Sequence, residues 1–350
     1  MIIYRLATRD DNQQLLELTA LSGMQGEISL RIDRKPNFFD LLEMRGKSNV
    51  FVALDEGVII GSLSASLQEV YVGGTIYPLH YIGDFKVAEN YQNRGVGLQL
   101  CNELANHAVP AGADLAFLNV SKGNSKPFSF FKDRPSIPDF ENIGLFIVTQ
   151  FPGKKNTIAH PIYKVEAAKP GGELLRFFNL HYSQYQLGPV ITLEKLSKTS
   201  NFIVRDNNGI VAAMSLTDNM HCKQNVVTRL SFKMKYLLKV LTVIGRNFSL
   251  SPLPILHQPV KMLYIRFLAV NNHDRELTRL LVNFARNIAY EKSYSFASIG
   301  LHEKDPLNVC FRGFLKLSFK SVGMLVTIKN NKELIDTARQ GIPFEDYSLV

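Results

Sequence analysis

The feature that most constrains the fold is a pattern that occurs twice. Phe51-Val-Ala-Leu-Asp-Glu-Gly57-Val-Ile-Ile resembles Phe202-Ile-Val-Arg-Asp-Asn-Asn-Gly209-Ile-Val, at an offset of 152 residues between the glycines. Each copy reads as two apolar, β-branched runs around a short Asp/Gly turn, which is a β-hairpin. Tyr81-Ile-Gly-Asp-Phe-Lys-Val87 resembles Tyr264-Ile-Arg-Phe-Leu-Ala-Val270, at an offset of 183. Each of these strands leads into an amphipathic helix. The first helix carries Leu98, Cys101, Leu104 and Ala105 on one face, the second Leu277, Leu280, Leu281, Phe284 and Ile288. An internal duplication accounts for all of this. The offset grows by 31 residues between the two matches, so the second copy carries an insertion of about that length.

A chain of 350 residues has room for two domains. The first is expected over residues 1–151. Residues 152–172, rich in Pro, Gly and Lys, read as a linker. The second copy is expected over residues 173–350, with its insertion at about 219–262. Elsewhere, Ile2 to Leu6 reads as a strand, and Asp10 or Asp11 caps a helix carrying Leu15, Leu16 and Leu18. Glu69 to Val72 and Thr75 to Pro78 flank a turn at Gly73-Gly74. Leu115 to Val120 and Gly144 to Thr149 read as further strands. Strands outnumber helices and strand–loop–helix units are present, so the class is mixed α/β.

Charge is concentrated. From Asn219 to His273 there is no Asp or Glu, while Lys223, Arg229, Lys233, Lys235, Lys239, Arg246, Lys261 and Arg266 all fall there, against a net charge of +9 for the whole chain. Such a block attracts anions, or is a solvated basic face with no specific partner. No base-reading motif accompanies it, which argues against nucleic acid. Residues 230–241 read as an amphipathic helix, with Phe232, Tyr236, Leu237, Val240 and Leu241 on one face. Packing on its own domain is the commoner fate of such a helix than lying on a membrane surface. No apolar run approaches the ~18 residues of a spanning helix. The start shows no basic segment followed by a long apolar stretch. The three cysteines, Cys101, Cys222 and Cys310, lie far apart and fit a reduced cytoplasm. The eight histidines are scattered, so no metal is expected.

The stretch that carries chemistry is Val87-Ala-Glu-Asn-Tyr-Gln92-Asn93-Arg94-Gly95-Val96-Gly97. It joins a strand to a helix, where loop amides and the helix's free first turn can converge on phosphate oxygens. Gly95 and Gly97 let the backbone approach closely, and Arg94 adds charge. It is neither the GxGxxG dinucleotide fingerprint nor a P-loop.

Gln92-Asn-Arg94-Gly95-Val-Gly97 resembles the acetyl-CoA signature Q/R-x-x-G-x-G/A of the GNAT N-acetyltransferase superfamily. Arg5 to Asp10 and the hairpin ending Ile60-Gly61 are similar to that family's first strand, helix start and next two strands. The resemblance covers residues 1–150 well and 190–330 more faintly. It implies two GNAT-like acyl-CoA N-acyltransferase domains in tandem, each a mostly antiparallel twisted sheet with flanking helices. It further implies transfer of acetyl from acetyl-CoA to a primary amine by direct attack on the thioester.

The resemblance implies roles by position. The strand over residues 81–87 would splay from its neighbour. Its end, Phe85, Lys86 and Val87, would carry the pantetheine arm through main-chain groups at Phe85 and Val87. Loop amides from Gln92, Asn93, Arg94, Gly95, Val96, Gly97 and Leu98 would hold the pyrophosphate, and Asn124 matches the family's asparagine beside the pantetheine. Asp84 is the expected general base, or else a charge-pairing residue. Glu27 is a second candidate, with His80 and Tyr81 as members of a water relay. Position 131 is Phe where the family usually has the tyrosine acid. That departure keeps open a second reading, a non-catalytic acyl-CoA-binding or regulatory module. The second copy lacks both loop glycines after Val270, so it is expected to be degenerate and to shape the acceptor site. It keeps Arg312-Gly313-Phe314, similar to the family's closing Gly-Phe. The acceptor would be a small or peptidyl amine, with an acidic group drawn by the basic block.

Overall fold

The computed structural model of the chain describes all residues except 22, 25–27, 109, 124–129, 131–137, 156–159, 233, 234, 237–248, 253 and 330. In chain order the first half runs β1 (Ile3–Leu6), α1 (Asn12–Ala20), β2 (Gly23–Met24), β3 (Ile28–Asp33), α2 (Asp40–Arg45), β4 (Lys47–Asp55), β5 (Val58–Val72), β6 (Thr75–Val87), α3 (Val96–Ala108), β7 (Leu115–Ser121) and β8 (Glu141–Pro152). The second runs β9 (Val165–Ala168), α4 (Gly172–Tyr182), β10 (Gly188–Pro189), α5 (Leu193–Ser197), β11 (Ser200–Asp206), β12 (Gly209–Thr217), β13 (Gln224–Leu230), β14 (Pro259–Val260), β15 (Met262–Val270), α6 (Arg275–Glu291), β16 (Phe296–His302), β17 (Leu317–Thr327) and α7 (Lys332–Gln340).

One large sheet spans both halves in the order β1-β4-β5-β6-β7-β17-β8-β16-β15-β12-β11-β9. Read from either edge inward, the sequence of elements is the same: four antiparallel strands, one parallel neighbour, then the central pair. The parallel contacts are β6–β7 and β15–β16, and a helix, α3 or α6, links each pair. The two hairpin turns read from sequence sit at equivalent places, joining β4 to β5 and β11 to β12. At the centre the halves exchange strands. β17 lies between β7 and β8, and β8 lies between β17 and β16. β15 shows why such a sheet reads as apolar: all nine of its residues are buried, as befits a strand covered on both faces.

Two segments differ from the sequence reading. The expected linker, residues 152–172, contains β9, which pairs with β11 along Val165–Ala168. Its short edge strand offers too few residues for a period to show. The insertion is not simply helical. It supplies β13 and β14, which join β3 and β2 in a second sheet of order β14-β13-β3-β2. Most of the helix expected over residues 230–241 lies outside the described residues. Of its apolar face, Phe232 and Tyr236 are described and both are exposed.

Side chains alternate across the large sheet and so define two layers. Ala116, Leu118 and Val120 of β7 pack with Val96, Leu100 and Leu104 of α3. Ala297, Ile299 and Leu301 of β16 pack with Leu277, Leu281 and Ala285 of α6. Phe117 of β7 faces the other way, toward Leu334 and Ile335 of α7 and Tyr347. The helices α3 and α6 therefore cover one face. The small sheet, α7 and residues 342–349 cover the other. Among the described residues no helix is long and apolar enough to cross a membrane.

Candidate functional site

The strands β6 and β7 pair only at Leu79–Tyr81 with Leu115–Phe117. Beyond that they diverge, so the expected splay of residues 81–87 is present and forms a fork. Opposite the fork, β6 carries a bulge against β5. Lys86 faces Ser62 and Gly83 faces Ser64, which leaves one residue too many on β6. Asp84 takes up the irregularity with φ of 48°, a left-handed conformation that Asp tolerates better than most residues.

The bulge fixes the Asp84 side chain. Oδ1 accepts from Arg34 Nη2 at 2.7 Å, and Oδ2 accepts from Ser64 Oγ at 3.0 Å. The Asp84 carbonyl accepts from Ser62 Oγ at 2.9 Å. Both members of the ion pair are nearly buried, at 9% exposure for Arg34 and 7% for Asp84. Arg34 lies beyond the end of β3, so this pair ties the small sheet to the fork. The sequence reading did not find Arg34. A lone arginine in Arg-Lys-Pro gives no sign that it is buried 50 positions from its partner.

The loop after β6 reaches the helix as expected. Asn93 and Gly95 adopt φ of 63° and 82°, and α3 begins at Val96. Residues 92–95 are exposed. No described group accepts a hydrogen bond from the amides of Val96, Gly97 or Leu98, the open first turn of the helix. The Gln92 side chain donates to the Val87 carbonyl at 3.2 Å, pinning the loop to the strand end. Arg94 lies 5.5 Å from the Tyr91 ring, and the Tyr91 hydroxyl donates to Asp55. A Cβ on Gly95 would meet nothing, whereas one on Gly97 would meet Phe85 Cζ at 3.1 Å and Phe130 Cε2 at 3.2 Å. Gly95 is thus needed for its backbone angle and Gly97 for close packing. Lys86 points away from the fork. Its Nζ donates to the Thr19 carbonyl, and burial lowers its pKa.

Other expected members scatter. His80 is buried toward His107 of α3, has no hydrogen-bond partner for either ring nitrogen among the described residues, and is pushed down to about 4 by burial. Tyr81 is buried beneath the Arg45 guanidinium, 3.5 Å from its ring, and burial raises its pKa. Asn124, Glu27 and Phe131 lie outside the described residues.

The second half shows what the fork becomes without the signature. β15 and β16 also part after three pairs, Met262–Tyr264 with Phe296–Ser298. There the Tyr182 hydroxyl accepts from the Leu268 amide at 2.9 Å and donates to the Leu268 carbonyl at 3.3 Å. Phe344 packs on Tyr182, and the remaining space is about 10 Å³, no more than one water molecule. The start of α6 is closed as well, because Asp274 Oδ1 accepts from the amides of Glu276 and Leu277. Its carboxylate occupies the place of an anion and repels one.

Between the two sheets lies a cavity of about 430 Å³. Asn119 and Ser121 of β7, just past the first fork, form one end, and Lys223, Tyr264 and Ser298 form part of the remainder. Among the described residues no group of three or more His, Cys, Asp or Glu side chains is placed to hold a metal ion.

Residues 3–124 match the family model for the acetyltransferase (GNAT) domain. A comparison with curated proteins gives no significant match. Among solved structures, a GCN5-related N-acetyltransferase from Anabaena variabilis aligns with TM-score 0.54 and 12% identity, over 94% of this chain and 73% of that one. The GCN5-related N-acetyltransferase from Kribbella flavida gives 0.53 and 12%, over 94% and 72%. The N-myristoyltransferase of Saccharomyces cerevisiae, solved with bound myristoyl-CoA, gives 0.60 and 10%, over 93% and 82%. At such identities the likeness is one of fold. Residues 3–124 thus carry a GNAT acetyltransferase domain, and the fold across the whole length is similar to that of these acyltransferases.

Proposed function

We propose that the protein is an acyl-CoA-dependent N-acyltransferase that moves an acyl group, acetyl in the simplest case, to a primary amine. The contrast between the two forks carries this reading. The first pairs a diverging strand end with an uncapped helix start and a Gly95/Gly97 loop. The second is filled by Tyr182 and capped by Asp274. One acyl-CoA would therefore bind per chain. Amides of Gln92 to Leu98 would hold the pyrophosphate, Phe85 to Val87 and Asn124 the pantetheine arm, and Arg94 would add charge at the exposed rim.

The amine would attack the thioester directly, with Asp84 as the base that takes its proton. Arg34 and Ser64 would aim that carboxylate. Residues 1–151 would form the acyl-CoA half and 173–350 a degenerate copy that shapes the acceptor site. The three cysteines form no disulfide and are buried, which suits a reducing, cytoplasmic setting.

Thiol release from acetyl-CoA with a panel of primary amines tests the reading. Amine-dependent release that Asp84→Asn suppresses supports it. Tight acetyl-CoA binding without turnover of any amine points to the non-catalytic binder, a reading favoured by the engagement of both Asp84 oxygens.

A further inference from the structure

Three buried cations on the small-sheet side have carboxylate partners. Arg34 pairs with Asp84, Arg45 with Glu345 at 2.8 Å, and Arg266 with Asp346 at 2.7 Å. The fourth is Lys223, at 4% exposure, with no carboxylate in ion-pair reach among the described residues. Its Nζ has only long contacts with the carbonyls of Tyr347 (3.4 Å) and Ser348 (3.5 Å), and the Tyr264 ring at 4.9 Å. A buried ammonium without a counter-ion is costly, and a protein retains one where a ligand completes it. Lys223 lines the 430 Å³ cavity, as do two buried polar atoms without hydrogen-bond partners among the described residues, Ser298 Oγ and Asn119 Nδ2. Buried polar atoms are normally satisfied, so two without partners beside a weakly bonded ammonium in one cavity point to an occupant.

We propose that this cavity seats the acyl acceptor, and that it takes a primary amine joined through an apolar spacer to a carboxylate, which Lys223 holds. The inference rests on the transferase reading above. Position supports it. Asn119 is the first residue of β7 past the fork on the face away from α3, so it marks the end nearest the thioester. Tyr347 measures the distance to Lys223. Its hydroxyl donates to Asn119 Oδ1 at 3.2 Å, while its carbonyl faces Lys223 Nζ. The acceptor's amine and carboxylate are then about one tyrosine length apart. The lining is mostly apolar, Leu30, Val227, Met262 and Phe296 among it, with Lys122 and Lys320 as further cations, and the volume suits a small molecule.

The charges around Lys223 set its pH behaviour. Arg34 past β3 and Arg45 on α2 repel its proton, while Asp346, held by Arg266, and the neighbouring Cys222 attract it. With burial the largest influence, the ammonium is lowered to about 7. A carboxylate ligand restores the charged form, so binding takes up a proton and weakens as pH rises through 7.

The probe is 3-phenylpropionate, compared with 3-phenylpropanamide by calorimetry on the full chain. The acid should bind at least tenfold tighter than the amide at pH 6.5, and the preference should shrink at pH 8.5. Lys223→Met should erase it without changing acetyl-CoA affinity. If that variant does not fold, the acid–amide ratio and its pH dependence in the wild type decide. Equal binding of acid and amide overturns the proposal, as does an acid preference that survives in Lys223→Met. In turnover, 3-phenylpropionate should compete with glycyl-L-phenylalanine and not with acetyl-CoA. Loss of acetyl-CoA binding itself would refute the transferase reading, a separate failure.

Discussion

Replacing Asp84 by Asn separates its observed role, the buried ion pair with Arg34, from its proposed role as the base. The substitution keeps shape and a hydrogen-bond acceptor for Arg34, but removes the only carboxylate among the described residues that Arg34 contacts within ion-pair distance. Arg34 is 9% exposed, and its Nε and Nη1 already have no hydrogen-bond partner among the described residues. Removing one member of a buried pair leaves an uncompensated charge, which costs about 3–5 kcal/mol. Asp84→Asn should therefore lose about that much stability in urea unfolding followed by circular dichroism. Adding Arg34→Met removes the stranded charge, so the double variant should recover more than half of the loss. A single variant within about 1 kcal/mol of wild type, or a double variant no better than the single, refutes the argument. The catalytic role is then read on folded protein only. If Asp84 is the base, kcat/KM at neutral pH should fall ~10²-fold or more, with less loss at high pH where more amine is already neutral. A structural Asp84 leaves rates per folded molecule near wild type.

Tyr182→Phe should destabilise the protein by about 1–3 kcal/mol, because the buried Leu268 amide loses its acceptor; thermal unfolding measures it, and unchanged stability contradicts the plug. His80 is pushed down to about 4 by burial, against about 6.5 when unfolded. The unfolded chain then binds the proton more tightly between these values, so stability is full near neutrality and is lost as pH falls from about 6.5 toward 4. At pH 5 the loss is about 2 kcal/mol, and His80→Leu should remove it from the pH profile of urea unfolding; an unaltered profile rules His80 out. Gly97→Ala should lower the melting temperature even without ligand, because its Cβ presses on Phe85 and Phe130 at 3.1 and 3.2 Å; an unchanged melting temperature shows that the rings yield freely.

The parts legible in the sequence are those set by local pattern. The hairpins at Gly57 and Gly209, the strands ending at Val87 and Val270, and the helices after them follow from short-range periodicity, while the splay of residues 81–87 comes from the family resemblance. The closed start of α6 was also within reach, since Asp274 before Arg-Glu-Leu is an ordinary N-cap. The strand exchange was not, because β8 and β17 are both apolar runs and nothing in either specifies its neighbour. The small sheet joins β3 to β13 across nearly 200 positions, a pairing with no local signature. The same holds at the site. Asp84 stands out, as a base or a charge-pairing residue, from its place on a strand that resembles the family's, and the structure shows the charge pair. Arg34, Tyr182 and Lys223 act through long-range burial, and their residue types alone would suggest a surface cation, a core aromatic and one more basic residue in a basic block.

The central claim is that one fork binds acyl-CoA and the other cannot. Titration calorimetry with acetyl-CoA tests it most directly. The account predicts one site per chain in the wild type, since only the first fork has free helix amides and a glycine loop. It predicts the same single site in Asp274→Ala and none in Gly95→Asp/Gly97→Asp, where a carboxylate at 95 enters the open space of the loop and a side chain at 97 presses on Phe85 and Phe130. Two sites in the wild type, or undiminished binding in the double glycine variant, would contradict it.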